Sequence, residues 1–316
     1  MLYNKFSEYL KNKYGTKVYK LPVNLPCTCP NRDGTVGTGG CIFCGEEGAG
    51  FELLSPGLEV KEQLKRNSAY IGSRYGSARF IAYFQNYTNT YLPEQQFMKA
   101  MRDACAEGVV ALYISTRPDS VPDAYLEFLG ELQNDRKIDV IMELGLQTVN
   151  YKTLRRINRG HTLAEFIDAV RRVKGYGLGT CAHYIVDFPW DTREDTVEGA
   201  KVLSALAVDQ VKCHSLFILD GTPLGEMYRK GEVSPVSLEE YEERVIAFLE
   251  YLNPEIVIQR LIGRAPEERT LFCNWGMSWW KIRDRVEEKM LREGRFQGGR
   301  FHSLHTVPAG SPRPCL

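Results

Sequence analysis

The chain has 316 residues, forty basic against forty acidic side chains, and 43% hydrophobic residues. This balance argues against a disordered protein, a polybasic nucleic-acid tail and attachment to anionic lipid through overall charge, and the length allows one large α/β unit with a small appendage or two ordinary domains. No apolar run approaches the ~18 residues of a membrane helix, and the first eleven residues lack the apolar region of a signal peptide. We therefore expect a soluble, cytoplasmic protein.

The predicted elements alternate along the chain. An amphipathic helix within residues 2–14 comes first, and short β-rich runs then alternate with longer helical patterns. The predicted strands cover residues 18–25, 78–84, 109–115, 139–146, 179–188 and 210–219. The predicted helices cover residues 57–74, 93–107, 122–134, 151–176, 193–207 and 238–252. Because each strand is followed by a helix, we expect parallel crossovers, and with them a doubly wound sheet or a complete or partial barrel.

The sequence changes character after residue 253. A strand-like run, Glu255 to Leu261, leads through an Arg/Pro/Glu-rich loop to three tryptophans and a charged helix at residues 278–293, and the tail from Gly294 reads as irregular. We predict a main domain of residues 1–253, with its N-terminal helix within 1–15 and a cysteine-bearing loop at 27–50. Residues 254–316 are predicted to form a small C-terminal domain and tail.

Nine cysteines are the unusual feature of the composition. Four of them, Cys27, Cys29, Cys41 and Cys44, fall within eighteen residues in a glycine-rich loop after the first predicted strand. The odd count and the expected compartment make a disulfide framework unfavourable. Thiolates bind soft metals and iron–sulfur clusters, and four of them can also hold a structural zinc, so the spacing alone leaves both open. The position at the end of the first strand of a large α/β unit favours the cluster. The remaining five are interpreted as packing residues: Cys105, Cys181, Cys213, Cys273 and Cys315.

The loop Cys29-Pro-Asn-Arg-Asp-Gly…Gly-Gly-Cys41-x-Phe-Cys44 and the motifs after it resemble the radical S-adenosylmethionine (SAM) superfamily, in the branch related to the catalytic subunit of Elongator. The resemblance implies an α/β fold: a partial (β/α)6 TIM-like barrel of radical SAM type with a small α+β C-terminal appendage. It also implies a [4Fe-4S] cluster on Cys29, Cys41 and Cys44, whose open iron binds SAM and whose electron comes from a donor such as flavodoxin or ferredoxin. The product of SAM cleavage is a 5′-deoxyadenosyl radical that takes hydrogen from the substrate. Cys27 is then a bystander, since a fourth thiolate would close the open iron.

Polar residues recur at every second position near the ends of three strands, in the patterns Glu143-x-Gly-x-Gln147, His183-x-Ile-x-Asp and Lys212-x-His214. In a parallel barrel such residues point into the lumen, and convergence from three strands favours a functional site over satisfied core polar groups. We therefore predict polar or proton-transfer roles for Glu143, His183 and His214. By resemblance, the cofactor contacts are Gln85, Glu143, Gln147 and Arg159, with the Arg159 guanidinium clamping the SAM carboxylate.

Two locally basic segments, residues 151–177 and 264–316, lie within the neutral total, and the second also holds Trp275, Trp279 and Trp280. Arginine beside aromatic surface is the composition that binds phosphates and stacks unpaired bases, although a solvated helix face gives the same charge pattern. The resemblance implies a tRNA substrate, with conversion of a carboxymethylaminomethyl group toward aminomethyl at the 5-position of the wobble uridine. The alternatives are a radical SAM enzyme acting on a small molecule or a protein, and a non-enzymatic zinc-binding RNA module.

Overall fold

The computed structural model describes residues 1–45, 53–76, 78–265 and 269–302. The strands, in chain order, are β1 (Tyr19–Val23), β2 (Phe80–Phe84), β3 (Val109–Thr116), β4 (Asp139–Gln147), β5 (Gly179–Ile185), β6 (Gln210–His214), β7 (Ile218–Leu219), β8 (Val257–Arg260) and β9 (Thr270–Phe272). The helices are α1 (Phe6–Tyr14), α2 (Val60–Tyr75), α3 (Glu94–Ala104), α4 (Asp123–Arg136), α5 (Tyr151–Arg156), α6 (Leu163–Gly175), α7 (Arg193–Ala205), α8 (Pro223–Arg229), α9 (Leu238–Tyr251) and α10 (Trp279–Glu293). Cys315, the tail from residue 303 and positions 46–50 of the predicted cysteine loop lie outside the described residues.

Seven parallel strands form one curled sheet in the order β1-β2-β3-β4-β5-β6-β8. The curl brings the two outer strands near each other across the lumen, because Lys20 Nζ on β1 donates to Gln259 Oε1 on β8 at 2.7 Å. The predicted fold class, a partial α/β barrel, is therefore confirmed. Its strand count was predicted too low by one, since the strand-like run after residue 253 joins the main sheet as β8.

Helices cover the outer face of the sheet and bury the main core. Phe97 on α3, Phe166 on α6 and Phe248 on α9 are fully buried in this layer, and each such side chain contributes about 1.5–3 kcal/mol through burial. Helices α6 and α7 begin with capping boxes at Thr162 and Thr192, and both helices then run back across the sheet. None of the described helices is long and apolar enough to cross a membrane.

The segment around α1 closes the amino-terminal end of the barrel. Leu10 packs among Ile81, Tyr83 and Tyr113 from β2 and β3. Just before the helix, the Asn4 carbonyl accepts the Ile258 N–H at 2.8 Å, which covers the free edge of β8. The cavity that remains therefore opens at the carboxyl ends of the strands.

Two predicted elements differ from the structure, and one observed helix was not predicted. The helix predicted over 151–176 is two helices, because Asn158 (φ 52°) and Gly160 (φ 78°) adopt left-handed backbone between them. The strand predicted over 210–219 stops at His214, and residues 218–219 pair instead with β9 in a separate antiparallel ribbon. Helix α8 was not predicted. The division of the chain into domains at residue 253 stays a prediction.

Candidate active site

A cavity of about 1190 Å³ occupies the carboxyl-terminal end of the half-barrel. Each strand of the main sheet contributes at least one side chain to its wall: Pro22, Tyr83, Ser115, Glu143, His183, Lys212 and Arg260. The cysteine loop after β1 forms one rim, and residues 270–280 form another. This is the position where α/β barrels place their chemistry, because loops from several strands converge there.

Three of the four clustered cysteines, Cys29, Cys41 and Cys44, line the cavity, and Cys27 does not. Cys27 Sγ instead lies 3.7 Å from the Asn86 carbonyl and packs at the edge of the main core. Burial raises the pKa of the Cys27 thiol to about 12. The position of its sulfur, away from the cavity, therefore separates Cys27 from the other three.

The sulfur spacing differs from that of a closed zinc site. Four thiolates at about 2.3 Å from one zinc ion lie within about 4 Å of one another. Among the described residues, the one group of three possible ligand atoms within 4.8 Å of one another consists of Glu143, Cys181 and His183, not of the loop cysteines. The three sulfurs that share the cavity wall are therefore not gathered as closely as the ligands of a single zinc ion.

Asn31 and Arg32 hold the cysteine loop in shape. The Asn31 carboxamide Nδ2 donates to the Asn158 carbonyl at 2.6 Å, and the Asn31 carbonyl accepts the Gly40 N–H at 2.8 Å. Arg32 Nη2 donates to the Cys44 carbonyl at 3.0 Å. A Cβ at Gly37 would lie 2.4 Å from Asn31 Oδ1, so this position requires glycine. The Pro-Asn-Arg-Asp-Gly run therefore ties the loop to the turn between α5 and α6.

Arg159 extends from that turn to the cysteines. Its Nη2 donates to the Gly145 carbonyl at 2.9 Å, its Nε donates to His161 Nε2 at 2.7 Å, and its Nη1 lies 3.6 Å from Cys41 Sγ. Burial, together with the Arg159 charge, lowers the pKa of His161 to about 2, so the ring is neutral and accepts that bond. A Cβ at Gly145 would lie 2.5 Å from Arg159 Nη2 and 2.8 Å from Gln147 Nε2. The Glu-x-Gly-x-Gln pattern thus leaves the space that the guanidinium occupies.

Glu143 is the centre of a buried ionic network in the lumen. Lys20 Nζ lies 3.0 Å from its Oε1, and its Oε2 lies 3.0 Å from Lys212 Nζ and 2.7 Å from His183 Nε2. Burial acts to raise the pKa of this carboxyl, but the two lysines outweigh it and hold the pKa well below its usual range. Glu143 is therefore a fixed anion, and both of its oxygens are engaged by protein groups. This geometry suits the positioning of Lys212 and His183 better than proton transfer.

The two lumen histidines are neutral. Burial, followed by the Lys212 charge, lowers the pKa of His183 to about 4, and burial with Arg260 lowers the pKa of His214 well below its usual value. Their rings lie 5.2 Å apart between centroids. His214 Nδ1 accepts from Arg260 Nη2 at 2.6 Å, which places the ring proton on Nε2. Near neutral pH, each imidazole therefore keeps one donor and one acceptor nitrogen.

The structure brings all predicted site residues to the same cavity, since Gln85 and Gln147 also line it. Among the residues that were not predicted as site residues are Arg117 and Arg260, which line the cavity, and Lys20, which contacts Glu143 in the lumen. Arg117 makes a bidentate pair with Asp119, at 2.8 and 2.7 Å, and is only 2% exposed. A lysine or arginine within a strand pattern is usually read as surface-exposed, so only the convergence of strands identifies these residues.

The cavity rim formed by residues 270–280 contains the C-terminal tryptophans. Trp275 packs against Tyr241 and Phe272, and its indole N–H donates to the Val236 carbonyl at 2.8 Å, which makes it a packing residue. Trp280 is 50% exposed and forms an edge-to-face pair with Trp279 at 5.8 Å. Of the predicted tryptophans, Trp280 therefore offers free aromatic surface at the cavity rim.

The basic segment at 151–177 divides into two parts. Arg172 and Lys174 on α6 pair with aspartates on the outer face of the barrel. Lys152, Arg155 and Arg156 on α5 are exposed, and α5 follows β4 directly at the open end of the barrel. The Ile42 N–H donates to the Ile157 carbonyl at 3.0 Å, which places α5 beside the cysteine loop. The exposed positive charge is therefore next to the cavity.

Comparison with known proteins gives one consistent result. The description "Radical SAM superfamily" matches residues 29–203, and "Radical_SAM C-terminal domain" matches residues 208–292. The YtqA protein of Bacillus subtilis is 32% identical over 315 residues, covering 97% of this chain and 95% of YtqA. A tRNA uridine(34) acetyltransferase of Methanocaldococcus jannaschii is 30% identical over 158 residues, which cover 49% of this chain and 28% of that protein. The solved structure of Methanocaldococcus infernus Elp3 superposes with a TM-score of 0.68 at 18% identity, covering 89% of this chain and 64% of that one.

Proposed function

Because this chain belongs to the radical SAM superfamily, we propose that it modifies the 5-position side chain of the tRNA wobble uridine, converting carboxymethylaminomethyl to aminomethyl. Loss of a hydrogen atom from the carboxymethyl carbon and of one further electron would give an imine, and hydrolysis of its C–N bond would release the two-carbon unit as glyoxylate, with SAM as the two-electron oxidant. As a radical SAM enzyme it uses a [4Fe-4S] cluster and SAM. Membership of this family excludes the non-enzymatic zinc-binding module considered from the sequence. The electron donor we propose is a flavodoxin or a ferredoxin.

The chain offers a set of residues that fits these cofactors. Cys29, Cys41 and Cys44 hold the cluster, since they share the cavity wall while Cys27 is turned away as a neutral thiol. Arg159, fixed at 3.6 Å from Cys41 Sγ, receives the SAM carboxylate. Gln85 and Gln147 complete the cofactor contacts. When bound, these groups supply hydrogen-atom abstraction by a carbon radical.

The remaining lumen residues act on the substrate side of the cavity. Glu143 holds Lys212 and His183 in place through its two engaged oxygens. His183 is neutral and donates its Nε2–H to Glu143, which leaves its Nδ1 to accept a proton from the substrate. His214 is also neutral, but its Nδ1 is occupied by Arg260, so it offers its Nε2–H as a donor.

The observation that carries the tRNA assignment is the surface around the cavity opening. Exposed Lys152, Arg155 and Arg156 lie on α5, next to the cysteine loop that forms one rim of the cavity, and the exposed Trp280 lines the cavity. Positive charge binds a phosphate backbone and an indole stacks an unpaired base, which is how single-stranded RNA loops are bound. The match to a protein named for its action on tRNA uridine 34 supports the same substrate.

The test is an anaerobic reaction of the reconstituted enzyme with tRNA that carries the carboxymethylaminomethyl group, followed by mass spectrometry of the nucleosides. We expect the aminomethyl nucleoside to form only with SAM and a reductant, and not with a Cys41→Ala variant. Steady 5′-deoxyadenosine formation with unchanged tRNA would contradict the proposal and favour a small-molecule or protein substrate.

A further inference from the structure

Arg260 is a cation of the cavity wall for which the described part of the chain provides no carboxylate partner. Its Nη2 donates to His214 Nδ1 at 2.6 Å, and its Nε is shielded from solvent without an acceptor. A guanidinium carries five N–H donors in a planar fork, so a single imidazole leaves most of them unused. The side chain lines the cavity, and its Nη atoms are not among the solvent-shielded groups, so a ligand can reach the Nη donors.

The surrounding network carries more positive than negative charge. Lys212 pairs in register with Arg260 on one side and His183 on the other. Lys20 and Lys212 share one carboxylate, that of Glu143, and Arg260 adds a third positive charge. The two histidines are neutral and cannot change this balance. Among the described residues of the network, three cations therefore face one anion.

An excess of buried positive charge raises the free energy of the folded protein. Burial lowers the pKa of Lys20, Lys212 and Arg260, as expected for cations that lack sufficient negative charge around them. An uncompensated charge in a poorly solvated cavity is retained where a ligand of opposite sign supplies the missing partner. The network therefore requires an anion that the described chain does not provide.

We propose that Arg260, with Lys212 beside it, binds a terminal carboxylate of the substrate. A carboxylate accepts two parallel N–H bonds from a guanidinium, and His214 Nε2–H offers a further donor beside it. The corner between β6 and β8 is enclosed, since the Lys212 side chain is only 7% exposed. An end group fits such a corner, whereas an RNA phosphodiester continues on both sides and needs an open groove.

This inference rests on the proposed function, whose substrate ends its 5-substituent in a carboxylate. It adds a basis for specificity, because the aminomethyl product has lost the group that Arg260 binds. The enzyme is then expected to bind its substrate more tightly than its product. The proposed carboxylate subsite at Arg260 is separate from Arg159, the residue that we propose binds the SAM carboxylate. Arg159 lies beside Cys41, whereas Arg260 contacts His214 on β6.

The test is titration calorimetry on the reconstituted protein with two uridine nucleosides, one bearing 5-carboxymethylaminomethyl and one bearing the matching carboxamide. We expect the carboxylate to bind about ten to a hundred times more tightly than the amide. Arg260→Gln should abolish that preference while leaving amide affinity and SAM affinity unchanged, and Arg260→Lys should keep part of it. The exposed Arg292→Gln, at a side chain that is 69% exposed, serves as the matched control and should behave as wild type.

Three results would overturn the inference: an intact carboxylate preference in Arg260→Gln, a loss of SAM affinity in that variant, or dependence on Arg260 that follows the phosphate of uridine 5′-monophosphate. A further pair of probes, N-benzylglycine and its amide, separates this inference from the proposed function. If the uridine assignment alone is wrong, N-benzylglycine still prefers wild type over Arg260→Gln. If the subsite is wrong, neither carboxylate shows that preference.

Discussion

Arg159 and Cys41 lie side by side, with the guanidinium Nη1 3.6 Å from the cysteine sulfur and the rest of the guanidinium fixed by Gly145 and His161. The contact joins the turn after α5 to the cysteine loop after β1. A positive group is thus held next to one of the three proposed cluster ligands. A guanidinium fixed in this way is pre-organised for the carboxylate that we propose it binds.

Cysteine variants test the ligand assignment. Cys27→Ala should retain iron and the brown colour after anaerobic reconstitution, because Cys27 is turned away from the cavity as a neutral thiol. Cys29→Ala, Cys41→Ala and Cys44→Ala should each lose most of both. Iron and sulfide analysis with absorption spectra gives the measurement. Loss of the cluster in Cys27→Ala, with retention in any of the other three, would reverse the assignment.

Gly145→Ala should weaken SAM binding indirectly, by displacing Arg159. The added methyl group would lie 2.5 Å from Arg159 Nη2, so the guanidinium must shift from its place beside Cys41. A lost charge-assisted bond corresponds to a roughly ten- to hundredfold rise in the SAM dissociation constant. Equilibrium dialysis with the reconstituted variant measures it. Gly175→Ala, at a site with no atom within 4 Å of the new methyl group, is the control and should bind SAM as wild type does.

Glu143→Gln should destabilise the fold. Removing this carboxylate leaves Lys20 and Lys212 without their shared anion in a buried site, which costs about 3–5 kcal/mol. Urea titration of the purified variant gives the free energy of unfolding. The control is Glu239→Gln, whose exposed carboxylate lies 4.0 Å from Arg285 and should leave the unfolding midpoint unchanged. An unchanged midpoint in both variants would show that the network contributes no stability.

The buried carboxyl of Asp187 should make the free energy of unfolding depend on pH, and the direction follows from its raised pKa. Burial raises its pKa to about 7, although the Leu216 N–H donates to it at 2.7 Å. The folded state therefore binds this proton more tightly than the unfolded chain, and wild type loses stability as the pH rises from about 4 to about 7. Asp187→Asn has no titratable proton at this position. The free energy of unfolding of the variant minus that of wild type should therefore increase by roughly 2–3 kcal/mol between pH 5 and 8. Urea titrations at both pH values measure it, and a constant difference would contradict the assignment.

Variants of two tryptophans should distinguish an effect on tRNA binding from an effect on folding stability. Trp280→Ala should weaken tRNA binding roughly five- to hundredfold, the range for loss of one base–aromatic stack, and leave the unfolding midpoint unchanged because the ring is half exposed. Trp275→Ala should instead lower the midpoint, since its ring packs on Tyr241. Filter binding across a salt series gives the affinities. Equal affinity of Trp280→Ala and wild type at every salt concentration would exclude stacking at this rim.

The sequence predicts those features that local patterns encode. Alternating strands and helices predict parallel crossovers and leave a doubly wound sheet or a barrel open, whereas the family resemblance of the cysteine loop implies the partial barrel and the cofactors. The break between α5 and α6 was missed because it depends on two residues with left-handed backbone in an otherwise helical pattern. The strand β8 was assigned to the appendage because a four-residue run carries no signal of the sheet it joins. Lys20 and Arg260 were missed because their roles exist only after the sheet curls and brings both strands to one lumen.

The most direct test of the account uses tRNA whose carboxymethylaminomethyl substituent carries deuterium on its methylene carbons. The reconstituted enzyme is given this tRNA with SAM and a reductant, and the mass of the 5′-deoxyadenosine is measured. The account predicts transfer of deuterium into 5′-deoxyadenosine together with formation of the aminomethyl nucleoside. Unlabelled 5′-deoxyadenosine, with the deuterium retained in the tRNA, would contradict it.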